Sequence, residues 1–95
     1  MKLENGCFSN HKLIIDEFNI PVAVQINGKE AFRLYDMVDV TDDGHGYICP
    51  GITKPGIGRI VEIRRDMTDH YFGVLMDNGQ FGHMKYARME RMEGF

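Results

Sequence analysis

The sequence predicts a small, mainly β fold, and three observations carry that expectation. Asn-Gly dipeptides stand at Asn27-Gly28 and Asn78-Gly79, each beside apolar residues that alternate with polar or small ones. Eleven glycines against three prolines fall between short apolar runs, as turns between strands do. The apolar share of 43% with 26% charged residues is that of a globular chain rather than a disordered one. Ninety-five residues suffice for one domain with a thin core.

Met1 to Asn10 is mixed and polar and reads as a loose leading segment. Leu13-Ile14-Ile15 opens an extended run that Asp16-Glu17 interrupts, and Pro21 starts another. Val22, Val24 and Ile26 then share one face of a strand. Asn27-Gly28 follows at once and suits a type I′ turn, which needs positive φ at both central residues. The return strand is Lys29 to Tyr35. Residues 29–38 also admit a helical reading, because Glu30, Ala31, Leu34, Tyr35 and Val38 fit a 3.6-residue period. The turn chemistry favours the hairpin.

Asp36 to Asp42 reads as a strand with Val38 and Val40 inward, ended by Asp42-Asp43-Gly44. A long loop follows to Gly58, holding five glycines after Asp43 and the turn pairs Pro50-Gly51 and Pro55-Gly56. Gly58 to Arg65 is a strand in which Ile60 and Ile63 have opposite parity, so a bulge or an exposed isoleucine is expected. Asp66 to Asp69 connects it to a strand from His70 to Met76, with Phe72, Val74 and Met76 on one face. Asp77-Asn78-Gly79 turns the chain into Gln80–Met84. A helical turn at Lys85-Tyr86-Ala87 precedes a last short strand within Arg88–Met92.

From Asp36 onward the order of strand, long Gly/Pro loop, three strands, helical turn and short strand resembles the SH3-like barrel. Gly58-Arg59-Ile60-Val61-Glu62-Ile63 followed by Tyr71-Phe72-Gly73-Val74-Leu75-Met76-Asp77-Asn78-Gly79 is similar to the core of KOW-type modules and of short prophage-type barrel proteins. The resemblance covers residues 36–95. It implies a small SH3-like barrel with an extra N-terminal hairpin in residues 1–35 covering one barrel edge. Such barrels bind peptides, RNA or ribosomes, so the resemblance selects no single function. Grooves for proline-rich peptides use a tryptophan among clustered aromatics, and this chain has none.

Charge narrows the partner. The net charge is −3, with −4 on residues 1–53 and +1 on residues 54–95, which is not the footprint of a dedicated phosphate-backbone binder. Arg59, Arg64 and Arg65, with Lys85, Arg88 and Arg91, still offer a basic set that could sit beside Tyr71, Phe81 or Tyr86 and hold single-stranded nucleic acid. Asp66, Asp69, Glu90 and Glu93 lie beside these bases and offset much of their field. Cys7, His11, His45 and Cys49 supply two thiolates and two imidazoles, a zinc set by type, but without a Cys-x-x-Cys knuckle. Metal is therefore the lesser reading of these four residues. No catalytic constellation, nucleotide fingerprint or cofactor motif is present in the sequence.

The expectation is a non-catalytic binding module or regulator of prophage type. A protein partner is favoured over nucleic acid, and a KOW-like nucleic-acid- or ribosome-associated module is the alternative. The expected contact residues are Tyr47, Ile48 and Ile52 in the long loop, Asn78 and Phe81 at the second hairpin, and Arg64, Arg65 and Tyr86 on the basic side. Two cysteines make no secreted disulfide framework, and no apolar run is long enough to span a membrane. A cytoplasmic location is the default these features set.

Overall fold

The alternation and turn signals become nine strands in a computed structural model, which describes residues 2–65 and 71–92. The strands are β1 (Lys2–Asn5), β2 (His11–Ile15), β3 (Pro21–Ile26), β4 (Lys29–Arg33), β5 (Met37–Val40), β6 (Gly56–Ile63), β7 (Phe72–Met76), β8 (Phe81–Met84) and β9 (Met89–Arg91). A single 3-10 turn at Tyr86–Arg88 precedes β9. No helix among the described residues is long and apolar enough to cross a membrane.

The strands form two antiparallel sheets, β1-β2-β3-β4 and β8-β7-β6-β5-β9. Asn27 and Gly28 sit at φ of 55° and 78°, so the hairpin reading of residues 29–35 holds and the helical one falls. The second Asn-Gly works differently. Only Gly79 is left-handed, and Met76 N–H donates to Gln80 O across a three-residue loop. The loose leading segment is corrected: Lys2–Asn5 pairs with β2, which turns the expected N-terminal hairpin into a four-stranded meander. A charged, mixed tetrapeptide carries no apolar period, so only its pairing with β2 reveals it as a strand.

The core lies between the two sheets. Leu13, Ile15, Val24 and Phe32 from the first meet Val38, Val40, Ile60, Phe72, Val74 and Met84 from the second in one continuous cluster. Ile60 and Ile63 are both buried, because the register slips between Ile60 and Glu62 and returns Ile63 to the inner face. The chain crosses between sheets at Leu34–Asp36. Tyr35 N–H donates to Ile60 O at 2.7 Å, and Ile60 N–H donates to Asp36 O at 3.0 Å. The second sheet remains open, since β8 and β9 each have one strand neighbour among the described residues.

The loop between β5 and β6 plugs that opening. Ile48, Cys49 and Ile52 are buried in the common core, with Cys49 and Ile52 forming an isolated bridge. Gln80 clamps the loop from the β7–β8 turn, its Nε2 donating to Thr53 Oγ1 and its Oε1 accepting from Thr53 N–H. A Cβ on Gly82 would stand 2.7 Å from both Cys49 Sγ and Pro50 O, so the loop lies directly on β8. Gly82→Ala is therefore expected to destabilise the protein by about 1–3 kcal/mol through overpacking. Urea unfolding checks this, and an unchanged midpoint would show that the loop is not seated on β8.

Candidate functional site

Strand parity sets the outer face of the second sheet. Phe81 on β8 pairs with Leu75 on β7, Leu75 with Arg59 on β6, and Arg59 with Met37 on β5. These four residues therefore form one row across four strands. Ile57 stands two residues before Arg59 on the same face. Leu75 is 45% exposed, Phe81 42% and Ile57 37%, so the row carries apolar area in solvent. A shallow groove of about 260 Å³ runs along it, lined in part by Met37, Ile57, Arg59, Leu75 and Asp77. A larger hollow of about 390 Å³ lies at Lys2, Asp16, Glu17 and Asn19. That hollow is the β2–β3 turn, whose Asp16 Oδ1 already accepts the N–H groups of Phe18 and Ile20.

A glycine stands in the neighbouring row of the same face, between His83 and Glu62. Gly73 has no side chain, so His83 on β8 reaches across β7 to Glu62 on β6, Nε2 to Oε1 at 2.6 Å. A Cβ there would meet Glu62 Cβ at 2.9 Å and Phe81 Cζ at 3.1 Å, so the Phe81 ring covers the glycine backbone. Phe81 also packs edge-on against His83, with ring centroids 5.2 Å apart. The ring is held, not dangling.

The residues expected from the sequence divide. Phe81 belongs to the row. Asn78 shapes the turn beside it, its Oδ1 accepting from Gln80 N–H and its Nδ2 donating to Gln80 Oε1. Tyr47 is exposed, but Ile48 and Ile52 are only 4% and 1% exposed and are not available as contact residues. Burying each such side chain is worth about 1.5–3 kcal/mol, which holds the loop inward. The loop's tip is ordered by its own acids. Asp42 Oδ1 accepts from Gly44 N–H, while Asp43 Oδ1 accepts from His45 and Tyr47. Those backbone bonds, with Arg88 adding a smaller attraction, hold the Asp43 carboxyl below its usual range.

The basic and aromatic set is not gathered on one face. Tyr71 is buried, Phe81 lies on the outer face of the second sheet, and Tyr86 packs against His11. Arg65 pairs with Glu4 at 3.1 Å and donates to Asn19, which ties the β6 end to the first sheet. Arg91 pairs with Asp36 at 2.9 Å and Arg33 with Glu30 at 2.6 Å. Arg64 is half-buried and continues the β6–β7 hairpin through its N–H to Tyr71 O. Asp66, Asp69 and Glu93, counted against the basic field, lie outside the described residues.

The zinc set is not gathered either. Among the described residues no three His, Cys, Asp or Glu side chains come together at metal-holding distance. Cys7 is exposed, Cys49 is buried in the core, and both are free thiols. Burial pushes the Cys49 thiol pKa up and keeps it protonated.

No family model, no curated protein and no solved structure matches this chain. Its site is therefore read from its own geometry. Leu75, Ile57 and Met37 join the row without being among the contact residues expected from the sequence. The signal for two of them was parity: Leu75 opposes the buried Val74 and Met76, and Ile57 opposes Gly58 and Ile60.

His11, expected as a lesser metal ligand, has another place. It is 1% exposed, and among the described residues neither ring nitrogen has a hydrogen-bond partner. Three rings enclose it: Phe8 from the β1–β2 turn at 4.9 Å, Tyr86 from the 3-10 turn at 5.1 Å, and Tyr71 at 5.7 Å. The Tyr71 hydroxyl accepts from Cys7 N–H, which fastens that turn over the cluster. Burial lowers the His11 pKa below 6.5. The folded value lies below the unfolded one, so His11's contribution to stability is complete above pH 6.5 and is lost as pH falls through the folded value. Thermal unfolding from pH 7.5 to pH 5 is expected to show a falling Tm, and His11→Phe is expected to flatten that fall. An equal slope in the variant would remove His11 as the cause.

Proposed function

We propose that this chain is a non-catalytic protein-binding module that contacts its partner through the outer face of β6, β7 and β8. The observation that carries this is the row Phe81–Leu75–Arg59–Met37 across four adjacent strands, in which the exposed apolar Phe81 and Leu75 lie beside Arg59 and the half-buried Met37. Exposed apolar groups on a rigid sheet are costly to leave in water and suit an interface. Aromatic, methionine and arginine side chains are the types enriched at such surfaces.

The arginines argue for protein over nucleic acid. Arg33, Arg65 and Arg91 are each engaged by a carboxylate, which withdraws them from phosphate contact. The strand order β8-β7-β6-β5-β9, with a 3-10 turn before the last strand, supports an SH3-like reading of residues 36–95. The free thiols suit a reducing cytoplasm, and the resemblance to short prophage-type barrels suits a regulator of that origin.

Affinity capture from the source cell compares three proteins: wild type, the double variant Leu75→Ser with Phe81→Ser, and Tyr47→Ser. One dominant protein is expected with wild type and Tyr47→Ser, reduced about tenfold or more with the double variant. Equal recovery with the double variant would remove this face from the reading. Oligonucleotide binding that weakens steeply with salt would favour the nucleic-acid alternative.

A further inference from the structure

We infer that Arg59 makes this face selective for a peptide segment of a partner protein bearing one carboxylate between large apolar side chains. The inference rests on the binding-face reading above and names what that face accepts. Arg59 differs from the three arginines whose ion pairs are described. Among the described residues its guanidinium has no carboxylate partner, and its Nε is directed to the Met37 thioether at 3.3 Å. A thioether is a weak acceptor, so the planar fork keeps its donors for a ligand. A carboxylate matches that fork with two parallel charge-assisted bonds.

The surroundings strengthen such a pair when a ligand covers them. Ile57 and Leu75 flank Arg59 on its own strand and the next, Met37 lies opposite on β5, and Phe81 closes the row beyond Leu75. A ligand laid along the groove would exclude water from the guanidinium and meet apolar surface on both sides. The chain carries a net charge of −3, so the attraction is local to this residue and not a property of the whole surface.

The rim limits the number of carboxylates. Asp39 pairs with Ile57 and with Glu90, which places two exposed acids beside the apolar row, and Asp77 borders the groove at the hairpin. One carboxylate seated on Arg59 is attracted, and further ones beside it meet Asp39, Glu90 or Asp77. A polyacidic tract is therefore disfavoured, and a single Asp or Glu among apolar residues is preferred.

Fluorescence polarisation with three labelled peptides tests this. One carries Leu-Phe-Glu-Leu-Ile between Gly-Ser flanks, the second replaces Glu with Gln, and the third replaces every apolar residue with Glu. Wild type is expected to bind the single-Glu peptide about tenfold tighter than the Gln peptide, and tighter than the polyacidic one. Arg59→Gln should bring the Glu and Gln peptides to equal affinity, and Arg59→Lys should restore only part of the difference. Circular dichroism confirms the fold of each variant. Equal affinity of wild type for the Glu and Gln peptides overturns the proposal, as does a Glu preference that survives Arg59→Gln. If Leu75→Ser with Phe81→Ser abolishes binding while either of those results holds, the proposal fails and the binding face stands. If wild type binds none of the peptides, or the double variant binds them as wild type does, both fall.

Discussion

The slip in β6 between Ile60 and Glu62 is the constraint on which the rest of the structure depends. Ile60 and Ile63 are three residues apart, and a regular strand would send one of them to solvent. The extra residue returns both to the core. Ile60 then serves two neighbours at once. It pairs with Val74 on β7, and its backbone exchanges hydrogen bonds with Tyr35 and Asp36, where the chain leaves the first sheet. Tyr35 takes a left-handed φ of 74° to make that contact, an uncommon backbone for a residue with a side chain. Ile60 thus joins the crossing between the sheets to the core of the second.

An open pair of sheets leaves its core accessible at the ends, and two of the irregular segments pack over it. The β5–β6 loop brings Ile48, Cys49 and Ile52 over β8. The β1–β2 turn brings Phe8 over His11, with Gly6 leaving room for the Tyr71 hydroxyl. The outermost strands carry inward charges met by partners: Glu4 on β1 faces Arg65, and Arg91 on β9 faces Asp36. Charged residues facing inward on outermost strands also discourage pairing with another chain. With those loops and edges engaged in closure, the outer face of β6 to β8 displays Ile57, Leu75 and Phe81 on adjacent strands, while Phe18, Ile20 and Tyr47 are exposed outside the strands. Structure and proposed function divide along that line.

Among the described residues, His11 is the buried side chain whose polar atoms lack hydrogen-bond partners. A buried imidazole with no hydrogen-bond partner forgoes the solvation of two ring nitrogens. The enclosing rings meet the imidazole through edge and face contacts, and the Tyr71 hydroxyl instead accepts from Cys7 N–H. Burial favours the neutral form over the charged one, so the β1–β2 closure weakens as His11 gains a proton.

The local code was legible wherever a short-range rule applied. Asn27-Gly28 specified its turn because positive φ at two successive residues restricts the choice of side chains, and Val38, Val40, Phe72, Val74 and Met76 showed their buried face through parity. The opposite parity of Ile60 and Ile63 announced the bulge. The sequence could not show that Lys2–Asn5 is a strand, because a partly solvated edge strand needs no apolar period and is defined by its partner. Nor could it place Ile48 and Ile52: a Gly/Pro-rich loop looks solvent-facing until an open sheet end supplies a core for it to fill. The mainly β fold, its strands from β2 onward and its turns were thus determined by the sequence itself. Which arginines met carboxylates, which loop residues were buried, and that Arg59 stands among Met37, Ile57 and Leu75 were decided by tertiary structure, because each depends on pairing between strands distant along the chain.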